Sequence, residues 1–192
     1  LFLHAQSRNR NISSRICAGS VDGGGESADT TGVERQGEFP RTITHAYGET
    51  EIPEAPQRVA TISWVNADVS LALGVVPVGM PRNSFGANAN GSTDWFDAKV
   101  SDLGGTAPQT MDESDGVNFT EIAQLSHDLI IAVNSGLTAE EYGRLTKIAP
   151  TVAYPTGPWV NSWQDMQRVT AQALGRSQAG DDLILKRMRR RH

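Results

Sequence analysis

From Arg58 to Tyr154 the chain alternates short apolar runs with polar-capped amphipathic stretches. The apolar runs are Val59–Ser63, Val75–Met80, Leu129–Val133 and Thr151–Tyr154. They are rich in β-branched residues and lack strict apolar–polar alternation. That pattern predicts strands buried on both faces, as in a parallel sheet covered by helices. The stretches between them carry helix signals. A short helix is predicted from about Asn66 to Leu73, with Gly74 at its exit. Asn118 and Thr138 each precede a glutamate three residues on, Glu121 and Glu141, which predicts two capping boxes. Ile122, Ala123 and Leu125 supply the inward face of the first of these helices, and Tyr142, Leu145 and Ile148 that of the second. A further helix is predicted from about Ser162 to Leu174, ended by Gly175.

Ahead of the sheet, Arg41–Tyr47 alternates strictly, Gly48 follows, and Thr50-Glu51-Ile52 resumes the run, which reads as a small hairpin closed by Pro53 and Pro56. The stretch from Arg82 to Gly116 is dense in Gly, Asn, Ser, Asp and Pro and reads as a long loop. The fold class expected is therefore α/β: a three-layer, open, mostly parallel sheet with helices on both faces.

Composition narrows the function. The chain has 192 residues, 38% hydrophobic, 20% charged, with a net charge of −5, a globular balance that excludes a broad nucleic-acid surface. The one basic run, Lys186 to His192, reads as a solvated tail. Cys17 is the only cysteine and the four histidines are scattered, so neither an intrachain disulfide nor a zinc knuckle is expected, and no metal site is assigned. Residues 1–40 are expected to form a disordered segment and linker, 41–160 an α/β ligand-binding lobe, 161–185 the start of a long helix, and 186–192 the basic tail. Residues 1–16 do not read as an export signal. Cys17, followed by Ala-Gly-Ser and a polar linker, reads equally as a lipid anchor or as a free thiol.

Catalytic signatures are missing: there is no phosphate-binding glycine loop, no nucleophile elbow and no HExxH, and the aspartates Asp94, Asp97, Asp102, Asp112 and Asp115 fall in loops. The candidate site comes from topology instead. An open parallel sheet places its ligand at the carboxyl ends of its strands. Those ends carry Ser63 and Trp64, Arg82, Asn134 and Ser135, and Trp159 beyond Pro155. Two indoles, a guanidinium and small polar groups suit a flat or aromatic, anionic ligand. Each also has a plainer reading: Trp64 as a helix cover, Arg82 as a solvated charge, Trp159 as packing for the last helix.

The segments THAYGETEIPEAPQRVATIS, DGVNFTEIAQLSHDLIIAVNSGLTAEEYGRLTKIAPTVAY and WQDMQRVTAQALGR resemble the substrate-binding proteins of iron–siderophore ABC transporters, over about residues 41–182. The resemblance implies two α/β lobes joined by a long helix, with a ferric siderophore, or a related iron chelate or haem, held between them. No enzyme activity or cofactor is implied, and the ligand's own donors satisfy the iron. The implied partners are ABC permease subunits and no nucleic acid, for a monomer exported to the periplasm or cell surface and touching the membrane only through Cys17. This chain matches the first lobe and the beginning of the linking helix, so a truncated or frame-shifted product is expected. The resemblance also implies a permease-docking glutamate at the place held by Thr120. Glu121, one residue later and about 100° around the helix, is the docking candidate. His127 stands where relatives often have proline and reads as a surface residue. The alternatives are a nonfunctional fragment, a metal-ion or cobalamin receptor of the same build, and a small α/β enzyme.

Overall fold

The computed structural model describes residues 37–63 and 65–190. The hairpin forms as its alternation requires. β1 (Arg41–His45) pairs antiparallel with β2 (Gly48–Ile52), from Arg41↔Ile52 to His45↔Gly48. Arg41, Ile43 and His45 are buried while Thr42 and Thr44 face solvent. Gly48 turns the chain at φ 116°, a conformation that a side chain disfavours.

The remaining strands form one five-stranded, all-parallel sheet in the order β5-β4-β3-β6-β7. They are β3 (Val59–Thr61), β4 (Gly79–Pro81), β5 (Gln109–Met111), β6 (Leu129–Ala132) and β7 (Thr151–Ala153). The helices between them are α1 (Asn66–Ala72), α2 (Asp94–Asp102), α3 (Phe119–Gln124) and α4 (Ala139–Leu145), followed by α5 (Trp163–Ala173) and α6 (Ser177–Arg189).

Both faces of the sheet are covered. Val59, Leu129, Ile131 and Val152 pack with Leu73, Ala171 and Leu174 beneath α1 and α5. Ala60, Ile130 and Ala132 point the other way, against Ile122, Leu125 and Leu145 of the α3–α4 layer. Successive residues of one strand thus serve opposite cores, which is why the runs show no alternation. A third cluster, Leu71, Met80, Phe96 and Val100, holds α2.

Several expectations shift. Of the predicted strand Val75–Met80 only the end is strand; Pro77 lacks the N–H a ladder needs, and pairing starts at Gly79. The region read as a long loop contains both α2 and β5. Thr93 caps α2 by accepting from the Phe96 N–H at 3.2 Å. The capping box of α4 is complete, with the Thr138 hydroxyl accepting from Glu141 N at 3.2 Å and the Glu141 carboxylate accepting from Thr138 N at 2.8 Å. In α3 only half of the expected box forms: Asn118 Oδ1 accepts from Glu121 N at 3.2 Å, and the Glu121 carboxylate returns no bond. Ala123, expected inside, is exposed. The helix predicted from about Ser162 to Leu174 forms as α5 and ends at Gly175 as expected; the stretch 161–185, expected to start one long helix, continues as a second helix, α6, which runs into the basic cluster as far as Arg189.

Candidate functional site

The strand order reverses at β3: β4 and β5 extend the sheet one way, and β6 and β7 the other. The loops leaving β3 and β6 diverge there, which is the place an open parallel sheet leaves a crevice. A cleft of about 470 Å³ occupies it. Ile62 and Ser63 enter it after β3, Pro81 ends β4 in it with Arg82 and Ser84 following, and Asp112, Glu113 and Ser114 come after β5. Ser135, Gly136 and Leu137 follow β6, Glu141 comes from α4, and Trp159 closes one side.

Asn66, at the start of α1 and 1% exposed, holds the crevice in shape. Its Nδ2 donates to Ile62 O at 2.7 Å and to Asn134 O at 3.0 Å, and its Oδ1 accepts from Asn134 N at 3.0 Å. One side chain therefore ties the loop after β3 to the loop after β6. On the outer flank Tyr47 and Tyr154 both donate to Leu137 O, Tyr154 at 2.9 Å. Burial pushes the Tyr154 phenol up to about 12, so it stays a donor throughout the working pH range.

Of the residues expected at the site, Ser63, Arg82, Ser135 and Trp159 lie on the cleft wall. Ser63 has φ 61°, a left-handed backbone that points its N–H at Glu113 Oε2, 2.9 Å away. Arg82 lies across Gly91, where a Cβ would sit 3.0 Å from its Cγ, and its charge is one reason the Asp112 carboxyl is held below the usual range. The larger reason is the Ser114 N–H, which donates to Asp112 Oδ1 at 3.0 Å. Ser135 is buried and donates to Ala132 O at 2.7 Å, so its hydroxyl serves the turn. Asn134 follows β6 next to Ser135, and its backbone N–H and carbonyl are engaged by Asn66. Trp64 and Cys17 lie outside the described residues.

Trp159 is 57% exposed and left-handed at φ 60°. Its indole lies on Gly136, where a Cβ would come 2.4 Å from Nε1. Gly136→Ala is expected to dislodge that ring at little cost in stability. Subtracting the emission of a Trp159→Phe variant isolates the indole's fluorescence. A spectrum unmoved by the alanine would mean that the ring is not seated on Gly136.

The contribution of β5 was missed by sequence reasoning. Glu113 and Asp112 resemble ordinary loop carboxylates, and the strand that delivers them is only three residues long. Burial raises the Glu113 carboxyl to about 7, opposed by the Ser63 N–H, and its Oε1 is buried without a hydrogen-bond partner. With Asp112, Glu113 and Glu141 the wall presents three carboxylates against the Arg82 guanidinium.

Among the described residues no three His, Cys, Asp or Glu side chains gather to hold a metal ion. His45 is bonded to Thr50 Oγ1 at 2.8 Å, and burial pushes its imidazole down. His127, expected on the surface, is half-buried before β6, and burial lowers its pKa as well. Glu121 is half-buried on the first turn of α3, with Oε2 enclosed and unpartnered.

Residues 59–187 match the family model described as periplasmic binding protein. The chain belongs to the periplasmic binding protein family. This periplasmic binding protein chain is 30% identical over 145 residues to the probable siderophore-binding lipoprotein YfiY of Bacillus subtilis (strain 168), covering 75% of the chain and 41% of the relative. Among solved structures it is similar to PiaA from Streptococcus pneumoniae TIGR4 in complex with ferrichrome, with 43% identity and TM-score 0.71 over 76% of this chain and 48% of PiaA. It is also similar to Staphylococcus aureus SirA complexed with staphyloferrin B, with 32% identity and TM-score 0.62 over 76% of this chain and 46% of SirA. The chain thus spans about half or less of the length of these curated and solved relatives. The family read from the sequence and the α/β, all-parallel fold both agree with these matches.

Proposed function

We propose that this chain supplies one wall of the ligand cleft of an ABC-importer substrate-binding protein, which captures a ferric siderophore or related iron chelate and delivers it to membrane permease subunits. One observation carries the reading. In a chain of this family, the carboxyl ends of four parallel strands, β3, β4, β5 and β6, line one cleft together with Trp159, and Asn66 ties the loops after β3 and β6 to each other. Ser63, Arg82 and Trp159 are the ligand contacts in this reading, and Trp64 is a further candidate from the sequence. The iron stays wrapped by its own chelate, so recognition rests on the indoles and on polar contacts, and no protein–metal bond is needed. The protein acts by binding and not by catalysis. Export to the cell surface, with Cys17 as the membrane anchor and Glu121 facing the permease, completes the proposal.

A wall alone offers about half of the contacts of a closed cleft, while the entropic cost of capturing the ligand remains. The expected dissociation constant for this chain is therefore on the order of 100 μM or weaker. Tryptophan quenching titrations with neutral and anionic ferric siderophores measure it. Nanomolar, saturable binding would show that the described wall is sufficient, against the two-walled reading.

A further inference from the structure

The hairpin carries a buried histidine whose protonation state is dictated by its partners. His45 is 5% exposed. The Tyr47 N–H donates to its Nδ1 at 3.2 Å, so that nitrogen must hold a lone pair. Its Nε2 lies 2.8 Å from Thr50 Oγ1, and the Thr50 hydroxyl gives its own hydrogen to Thr151 O at 2.7 Å. The Thr50 oxygen is thereby left to accept, and Nε2 carries the one proton of a neutral ring. A second proton, on Nδ1, would set N–H against N–H at Tyr47.

Tyr47 is the link to the cleft. Its hydroxyl donates to Leu137 O beside that of Tyr154, and its ring stacks on Tyr142 with centroids 5.0 Å apart. Tyr142 in turn meets His45 edge-on at 5.2 Å. Leu137 lies on the cleft wall next to Gly136, which seats Trp159. One residue thus has its backbone on His45 and its side chain on the wall.

We infer that His45 is a positioning residue for the cleft: its neutral ring holds Tyr47, and through Tyr47 the Gly136–Leu137 wall, and a proton taken up at Nδ1 releases that wall. This rests on the cleft being the ligand site. The groups that face the ring are uncharged: Thr50 from β2, Tyr142 from α4, and Tyr47. The charged side chains of the packed elements are engaged elsewhere. Glu49 and Glu51 of β2 and Glu140 of α4 face solvent, Glu141 accepts from Thr138, and Arg144 lies over Phe119 at 3.6 Å. On α5, Arg168 pairs with Asp165 at 3.7 Å, and Arg41 of β1 donates to Glu38 O and Gln172 O. A charged imidazole therefore gains no ion pair in place of the bond it loses. Burial pushes the ring below its ordinary value of 6.5. As the pH falls through 6.5 the unfolded chain is protonated first, so stability declines from there, and the folded ring takes its proton at a lower pH.

The test is an NMR titration of the full chain from about pH 8 down to the onset of acid unfolding. The His45 ring carbons and the Tyr47 and Leu137 amides should move together, at one midpoint below 6.5. His45→Asn, which keeps an acceptor near the Nδ1 position but takes no charge, should abolish that step at Leu137. Tyr47→Phe cuts the hydroxyl link and keeps the backbone donor, so His45 should still titrate while the Leu137 step shrinks at least about twofold; this variant decides the matter where asparagine impairs folding. Glu113, raised to about 7, and His127, before β6, remain in both variants, so their own steps are told apart. A Leu137 step unchanged in either variant, or a ring that stays neutral until the whole chain unfolds, would overturn the inference. A neutral gallium(III) trihydroxamate at millimolar concentration reads the consequence for binding. Its affinity should fall about threefold across the His45 midpoint in wild type and stay flat there in His45→Asn. A flat wild-type affinity beside a Leu137 step would also overturn the inference. A probe that moves no amide of the Ser63, Arg82 and Gly136 loops at any pH would overturn the cleft reading and leave the coupling of His45 to Leu137 standing.

Discussion

Asn66→Ala is expected to destabilise the chain by about 3–4 kcal/mol and to loosen the cleft before the rest of the fold. The alanine removes three hydrogen bonds at a site 1% exposed. It leaves Ile62 O, Asn134 O and Asn134 N to find other partners, and stranding a buried polar group costs about 1–3 kcal/mol. The Ser70 hydroxyl, which donates to Asn66 O at 2.9 Å, is untouched, so α1 keeps its own backbone contacts. Urea unfolding gives the global figure. Amide exchange gives the local one: protection at Ile62 and Asn134 should fall further than at Ile130, in the middle of β6. Asn66→Asp should be worse still, because it turns a carboxylate oxygen toward two carbonyls. A loss under about 1 kcal/mol in the alanine variant would mean that the two loops hold their places without this bridge.

Asn66 also shows where the sequence becomes opaque. An asparagine at the start of a predicted helix reads as a local capping residue. Its actual partners are one residue four positions back and one sixty-eight positions on, and nothing nearby signals the second. What was legible was local or periodic. Arg41, Ile43 and His45 alternate with exposed threonines, and Thr138 with Glu141 closes its box within a single turn. The β-branched runs of β3 and β6 marked strands buried on both faces, and their parallel pairing followed from the helices between them. Glu113 was not legible, because it differs from Asp115 in burial rather than in sequence context, and burial is set by loops from three strands. The edge of the sheet was hidden for a related reason. Gln109–Met111 is too short to show a period, and α2 turns only Phe96 and Val100 toward the core.

That hidden edge supports the second large expected effect. Phe96→Ala should cost about 3–5 kcal/mol, the usual range for emptying a buried aromatic site. Phe96 is 2% exposed and packs with Leu71, Met80 and Val100, so it is the main apolar anchor joining α2 to α1 and β4. The Thr93 cap and the cluster in which Asn88, Asn90 and Ser92 donate to Asp97 can order the start of α2, but these are exposed or half-buried polar contacts and cannot replace the lost packing. The damage should not stay in α2. β5 is an edge strand that pairs with β4 alone, and it carries Asp112, Glu113 and Ser114 to the cleft. If α2 loosens, β4 and β5 lose cover on that face, water reaches the Glu113 carboxyl, and its pKa falls from about 7 toward the ordinary carboxylate range. Phe96→Ala should therefore lower the urea midpoint and also lower the Glu113 titration midpoint, followed by carboxyl-carbon NMR. Phe96→Leu should do less of both, since it refills most of the site. A Phe96→Ala protein that loses stability while Glu113 still titrates near 7 would separate the α2 core from the β5 wall, and would place the burial of Glu113 in the Ser63 loop instead.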